Sequence, residues 1–325
     1  MKFILIAFIL ISSYSWTQIN PYYYASLSYS MDKLGYKSLA DSLMDYSFKL
    51  KNNENIQARL YIKSGSLKAQ LGNRKKSSQM FQLAVQNGAD SALVIKQIRK
   101  EKLNDSLFLI QFVRKNYQKD RMIHLYKRDE NALYMISELN AMDQGIRKIV
   151  DADIPNVNKE CIASLAENNV GILYDYFYQY LKNHPFPSVD EVGYKAIDDI
   201  STFTLHFGSE LDTAFNFLDG VLKNAIVDKG YIPNYYAVFV DFHRRKIGLN
   251  DYYGNEMFKK NDDGSYSYYP IEDIAKVDFR RSEIGLIPLY FHSIQWNMKL
   301  PEGYEFNLEK FISELRKTFD STKNH

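Results

Sequence analysis

Apolar residues recur three and four positions apart through most of the chain, which is the spacing of one face of an α-helix. The clearest case runs from about residue 130 to 150, where Ile136, Leu139, Met142 and Ile146 fall on one face. Similar patterns recur at about 157–168, 172–183, 189–206, 209–227, 233–247, 271–284 and 308–319. The pattern predicts a mainly α-helical protein.

The pattern changes after Gly248. Two short aromatic-rich runs there flank the sequence Asn261-Asp262-Asp263-Gly264. An Asp-Gly pair between such runs is typical of a β-hairpin, because both residues tolerate positive φ. We therefore expect one small β-hairpin at about 251–269, inside an otherwise helical domain.

Two segments near the N-terminus share one spacing of aromatic, small and glycine residues. The later segment has Tyr61, Gly65, Gly72, Ser77, Phe81 and Ala84, and the earlier one has Tyr24, Ser28, Gly35, Ala40, Met44 and Ser47, each 37 positions before its counterpart. Small residues that face each other allow two antiparallel helices to approach closely. Over residues 20–88 this spacing resembles the tetratricopeptide repeat family. The resemblance implies helix hairpins whose stacked surface suits an extended protein or peptide partner.

These patterns divide the chain into parts. We predict tetratricopeptide-like repeats over 18–117, a linker over 118–129 and a helical domain over 130–325 that contains the hairpin. The linker is predicted because its sequence is polar and has no regular apolar spacing.

The first 17 residues have the pattern of a cleavable signal peptide. Lys2 is followed by an apolar run from Phe3 to Ile11, and Ser15 and Thr17 suit cleavage before Gln18. The apolar run is too short to span a bilayer, which takes about 20 residues. We therefore expect an exported protein, periplasmic or secreted, with no membrane span after cleavage.

Composition and the absence of known motifs limit the partners, cofactors and metal sites that we expect. The formal net charge is +2 with acidic and basic residues interspersed, which indicates no nucleic-acid partner. Cys161 is the only cysteine, so no internal disulfide is possible, and we expect its thiol to be buried. The sequence has no phosphate-binding glycine loop, no Gly-x-Ser-x-Gly motif and no zinc-binding pattern. We predict no cofactor and no metal site.

The C-terminal half contains five short motifs. They are Asp143-Gln144-Gly145-Ile146-Arg147, Phe186-Pro187 with Val192-Gly193, His206, Asp241 with Tyr253-Gly254, and Val277-Asp278-Phe279-Arg280-Arg281 with Gly285-Leu286. Over about residues 130–290 these motifs resemble a bacterial domain family without an assigned function. The resemblance implies a shared polar pocket formed by Asp143, Gln144, Arg147, His206, Asp241, Tyr253, Arg280 and Arg281.

The same residues also have local explanations. Asp143 and Arg147 are four positions apart on a helix and can pair there. His206 lies near a predicted helix C-terminus, where it can interact with free carbonyl groups. Arg280 or Arg281 can bind a carboxylate such as Asp241 and hold the hairpin against the helices. The sequence is compatible both with a shared polar pocket and with these local structural roles.

Two functions are compatible with these features. The first is a non-catalytic module that binds a protein through its repeats or a ligand through its C-terminal domain. The second is a hydrolase-like enzyme in which His206 or Asp241 acts as acid or base and Arg281 holds an anionic group. A third possibility, a purely structural role, predicts no concave polar pocket. The sequence favours binding and leaves catalysis undecided.

Overall fold

The computed structural model describes residues 21–50, 56–103, 105–152 and 158–322. The predicted signal peptide, residues 1–17, lies outside these ranges. The fold is mainly α-helical with one small two-stranded antiparallel sheet, as predicted, and consecutive helices pack as hairpins. In the described ranges, no helix is both long and apolar enough to cross a bilayer.

The front of the molecule consists of six helices. They are α1 (Pro21–Lys33), α2 (Lys37–Lys49), α3 (Ala58–Gln70), α4 (Arg74–Gln86), α5 (Ser91–Lys100) and α6 (Ser106–Leu125). Helix α1 packs against α2, and α3 packs against α4. Gly35 and Gly72 have φ of +87° and +77° in the turns that join these two pairs, a conformation that glycine adopts without steric cost.

The two hairpins close at equivalent positions. In the first, the Ser28 hydroxyl donates to the Ala40 carbonyl at 2.7 Å, and in the second the Ser77 hydroxyl donates to the Gly65 carbonyl at 2.8 Å. Gly65 also faces the ring of Phe81, which leaves no room for a Cβ atom. The shared spacing of small residues therefore marks the points where the paired helices are closest.

Helix α6 continues to Leu125, so residues 118–125, which the sequence predicts as a linker, are helical. The buried Asp120 carboxylate in this stretch accepts hydrogen bonds from the Gln82 and Gln86 amides at 3.0 and 2.8 Å. The polar residues that interrupt the apolar pattern thus pack against α4. Pairing of buried polar side chains explains why apolar spacing did not reveal this part of the helix.

The next five helices form the largest core. They are α7 (Glu130–Asp151), α8 (Lys159–Asn183), α9 (Val189–Glu210), α10 (Asp212–Asp228) and α11 (Pro233–Lys246). The segments predicted as separate helices at 157–168 and 172–183 are one continuous helix, α8. Helix α9 contacts the other four, so its residues Ile197, Ile200 and Phe203 lie at the centre of this core.

The predicted hairpin consists of β1 (Met257–Lys260) and β2 (Tyr266–Tyr268), joined by a turn in which Gly264 has φ of +79°. Residues 251–256 precede the hairpin as a loop. The helix predicted at 271–284 is shorter: a 3₁₀ turn at Ile274–Lys276 leads into α12 (Val277–Glu283). Two further helices, α13 (Leu289–Trp296) and α14 (Leu308–Thr322), complete the described chain.

The C-terminal helices pack against the first helix pair. Phe291 and Ile312 share a core cluster with Leu27 and Met31 of α1. The Lys33 ammonium donates to carbonyl groups at the end of α13, including that of Gln295 at 2.9 Å. The front helices and the C-terminal helices are therefore joined by apolar packing and hydrogen bonds, and a cleft lies at their junction.

The expectation of a buried Cys161 thiol is wrong, because the residue is exposed. Cys161 lies in the first turn of α8, and Ser164, Leu165 and Glu167 in the following turn are exposed as well. The start of this helix therefore extends beyond the core that its later turns enter.

Candidate functional site

Four of the eight predicted site residues form one hydrogen-bonded group between α7 and α9. The Asp143 carboxylate is 2 % exposed and lies 2.8 Å from Nδ1 of His206. It also accepts hydrogen bonds from the Gln144 amide at 2.8 Å and from Arg147 Nε at 3.3 Å. The predicted Asp143–Arg147 pair therefore exists, and His206 from a second helix joins it.

The electrostatics of this group favour a charged carboxylate. Burial acts to raise the pKa of Asp143, but the hydrogen bonds from His206 and Gln144 and the charge of Arg147 outweigh burial and lower it. Nδ1 of His206 lies 2.8 Å both from the Asp143 carboxylate and from Arg147 Nε, so these two residues fix the orientation of the imidazole. A fixed orientation is one requirement of a general base. The same geometry also braces two helices, as does the nearby bond from the Asn140 amide to Asp199 at 3.0 Å.

Asp241 belongs to a second group, whose hydrogen bonds run to the backbone. Its fully buried carboxylate accepts from the N–H groups of Tyr252, Tyr253 and Asn255 at 2.7, 2.9 and 3.2 Å. Burial raises the pKa of Asp241, and these three hydrogen bonds partly offset that rise. Asp241 thus fixes the loop that precedes β1.

The two arginines bind the other side of the same loop. Arg281, which is fully buried, donates to the carbonyls of Tyr253 and Ile287, both at 2.8 Å. Arg280 donates to the Tyr252 carbonyl at 2.7 Å and to the carbonyl of Glu272. Burial lowers the pKa of the Arg281 guanidinium. The arginines therefore hold the loop before β1 through its backbone carbonyls, and neither forms a described hydrogen bond with the Asp241 carboxylate that the sequence suggested as a partner.

The eight residues predicted as one polar pocket thus form two groups by their hydrogen bonds. Asp143, Gln144, Arg147 and His206 join helix to helix. Asp241, Tyr253, Arg280 and Arg281 join loop to helix, with the Tyr253 ring packed near Tyr236 and Tyr252. Every one of the eight has a structural contact that accounts for its position.

A cleft that the sequence did not indicate lies where the front helices meet the C-terminal helices. It has a volume of about 450 Å³. Its walls come from α1, α3, the start of α11 and the end of α13, and include Tyr22, Tyr29, Arg59, Tyr235, Gln295 and Trp296. A smaller hollow of about 300 Å³ shares Asn234, Tyr235 and Trp296 and extends towards Met257. Trp296 is 51 % exposed between the two.

Arg59 is the distinctive charged group of this cleft. It lies in the first turn of α3 and is half-buried. Its guanidinium hydrogen-bonds the Tyr235 hydroxyl, which in turn donates to Asp198. Among the described residues, Arg59 forms no ion pair with a carboxylate. Lys33, the other cation of the cleft, already donates to the carbonyls at the end of α13.

A second cleft, of about 500 Å³, lies between α6, α7 and α9. Its cations have partners: Arg128 pairs with Glu130, Lys195 pairs with Asp199, and Arg121 donates to the Gly88 carbonyl. Buried His124 lies in its wall, where burial and the charge of nearby arginines lower the pKa to about 4. Glycines leave room for the imidazole, since a Cβ at Gly88 would lie 2.9 Å from its Cε1 atom.

No family model matches the chain, and no curated protein or solved structure matches it either. In the part of the chain that the structure describes, no group of three or more His, Cys, Asp or Glu side chains is arranged to hold a metal ion. The cleft lined by Tyr22, Tyr235 and Trp296 combines a ligand-sized volume, an exposed tryptophan and a cation, Arg59, that forms no ion pair with a described carboxylate.

Proposed function

We propose that this chain is an exported, non-catalytic binding protein whose ligand occupies the cleft between its front helices and its C-terminal helices. The observation that carries the proposal is the set of Tyr22, Tyr29, Tyr235 and Trp296 around one cleft of about 450 Å³. Ligand sites usually have volumes of about 300–1,000 Å³ and combine aromatic walls with a few polar groups. The signal-peptide pattern of residues 1–17 supports the export part of the proposal.

The position of the cleft supports a binding role. Residues from both ends of the described chain form it, and hydrogen bonds fix their arrangement. The Gln295 amide donates to the Ser26 carbonyl and to the Ser30 hydroxyl, both at 3.0 Å. The Tyr22 hydroxyl donates to the Gly230 carbonyl at 3.1 Å. A cleft whose walls are already held in place loses little conformational freedom when a ligand binds.

The hydrolase alternative has narrower support. It rests on the Asp143–His206 pair, whose geometry suits an oriented base. It also requires Asp241 or Arg281 to act on a substrate, and these side chains bind the backbone of the loop before β1. Loss of hydrolysis of chromogenic ester or phosphate substrates in a folded His206→Gln variant would favour this alternative over the binding function.

The proposed site is testable without knowledge of the ligand. A library of neutral, anionic and cationic small molecules is screened by saturation-transfer NMR against the wild-type chain. The hits are then measured with Trp296→Ala and with Tyr126→Ala, a matched control in which the replaced aromatic ring is 84 % exposed and outside the cleft. We expect hits whose binding is lost in Trp296→Ala and retained in Tyr126→Ala. A screen without hits, or hits that bind both variants equally, contradicts the proposal.

A further inference from the structure

We infer that the cleft selects a small anionic ligand, one whose carboxylate or phosphate group binds Arg59 and whose apolar or aromatic body packs on Tyr235 and Trp296. This inference rests on the proposed binding function and adds the chemical class of the ligand. It depends on three features of the cleft: Arg59, which forms no ion pair with a described carboxylate, the two helices whose first turns line the cleft, and the arrangement of the aromatic walls.

The first feature is the state of Arg59. A guanidinium offers five N–H donors in a planar arrangement that matches a carboxylate or phosphate. The described bond to Tyr235 uses one of them, and no described carboxylate forms an ion pair with Arg59. By contrast, Arg128 and Lys195 in the second cleft each pair with an acidic residue. Arg59 is therefore the cation best placed to accept an anionic group from outside.

The second feature is the direction of two helices. Arg59 and Leu60 lie in the first turn of α3, and Pro233 to Tyr235 form the first turn of α11. Neither helix has an acidic residue in that turn or a side-chain hydrogen bond at its N-cap. Helix N-termini carry partial positive charge from the helix dipole, which adds to the attraction that Arg59 exerts on an anion.

The third feature is the aromatic wall. Trp296 is half-exposed and lines both the cleft and the adjoining hollow, together with Tyr235. When an apolar ligand surface packs on exposed aromatic rings of this kind, both surfaces leave water, which favours binding. Because Arg59 and the rings line the same cleft, a ligand that carries both an anionic and an apolar part can contact all of them at once.

The test uses matched probes that differ in charge. N-acetyl-phenylalanine and its neutral amide have the same aromatic body, and phenyl phosphate provides a second anionic group. Dissociation constants are measured for the full-length wild-type chain and for Arg59→Gln, Arg59→Lys and Arg114→Gln, the last being an exposed arginine on α6. Thermal melting of each variant confirms that it is folded.

We expect the acid to bind the wild-type chain about tenfold or more tightly than the amide. Arg59→Gln should remove that difference, Arg59→Lys should keep part of it, and Arg114→Gln should leave it unchanged. Tighter binding of phenyl phosphate than of the acid would assign the ligand to the phosphates, and the reverse would assign it to the carboxylates.

Two results would overturn the inference. If acid and amide bind equally and both lose affinity in Trp296→Ala, the cleft is a ligand site without selectivity for anions, and the proposed function stands. If none of the three probes binds, the anionic assignment fails, while the library screen still decides whether the cleft binds ligands of another class.

Discussion

Asp241 and Arg281 hold the two polar groups of the same residue, since Asp241 accepts from the Tyr253 N–H at 2.9 Å and Arg281 donates to the Tyr253 carbonyl at 2.8 Å. Both side chains are fully buried. An acid and an arginine that occur in one sequence pattern are often assigned to a catalytic pocket. Here their shared target is backbone, so their first role is to fix the loop between α11 and β1.

This role predicts a large loss of stability when the carboxylate is removed. Asp241→Ala would leave three N–H groups without their acceptor, two of them on buried residues, and we expect a cost of about 3 kcal/mol or more. Urea denaturation measures the difference. Asp212→Ala is the control, because that carboxylate is 70 % exposed and should change stability by less than about 1 kcal/mol. Similar values for both variants would show that the loop is not held by Asp241.

Asp251, a buried residue of that loop, gives rise to a predicted pH dependence of stability. Burial and the charge of nearby Asp241 raise the pKa of Asp251 to about 7, from about 3.9 in an unfolded chain. Between these values the folded state binds the proton more tightly. The contribution of Asp251 to stability is therefore complete below about pH 4 and lost as the pH rises to about 7.

Asp251→Asn should remove this dependence. Relative to wild type, the variant should gain stability steadily from pH 4 to 7, by up to about 4 kcal/mol, and no further above pH 8. Denaturation at five pH values measures the difference between the two proteins. A constant difference over that interval would mean that Asp251 is already ionised in the folded state at low pH.

His124 predicts a pH dependence in the opposite direction. Its folded pKa is about 4, below the ordinary value near 6.5, because burial and nearby arginines disfavour the charged imidazole. The stability that depends on a neutral His124 is present above about pH 6.5 and lost as the pH falls to about 4. The loss amounts to about 3 kcal/mol. His124→Gln should become more stable relative to wild type on acidification, whereas His184→Gln, at an exposed position, should not.

The close packing of α3 and α4 leads us to expect that alanine substitutions at Gly65 and Gly145 change stability in opposite directions. A Cβ at Gly65 would lie 2.7 Å from the Phe81 ring, whereas nothing lies within 4 Å of a Cβ at Gly145 on α7. We expect Gly65→Ala to cost about 1–3 kcal/mol and Gly145→Ala to gain up to about 1 kcal/mol from higher helix propensity. Equal effects in thermal melting would show that α3 and α4 do not approach closely at Gly65.

Local patterns predicted much of the fold. The spacing of apolar residues gave the helices, the Asp-Gly turn gave the hairpin, and the small residues at 28, 40, 65 and 77 marked the closest approach of paired helices. The Asp143–Arg147 pair was predictable because both residues lie on one helix. That His206 joins them was not, since it comes from a helix 59 positions further along than Arg147.

The cleft could not be predicted, for a related reason. Arg59, Tyr235 and Trp296 are separated by long stretches of chain and meet only because α13 and α14 pack against α1 and α2. Each residue alone has an ordinary local environment in the sequence. The weak signal that was available is that Trp296 is the sole tryptophan after the predicted signal peptide, since Trp16 lies within it.

Because Trp296 is the sole tryptophan after the predicted signal peptide, its fluorescence gives the most direct test of the central claim, that the ligand occupies this cleft. In a Trp16→Phe chain, Trp296 is the only tryptophan, and its emission reports on the cleft and on the adjoining hollow that it also lines. Titration with a library hit or with N-acetyl-phenylalanine should change the emission in a saturable way, with the same midpoint as binding measured by NMR. Binding that saturates in the NMR experiment while the Trp296 emission stays constant would place the ligand elsewhere and contradict the account.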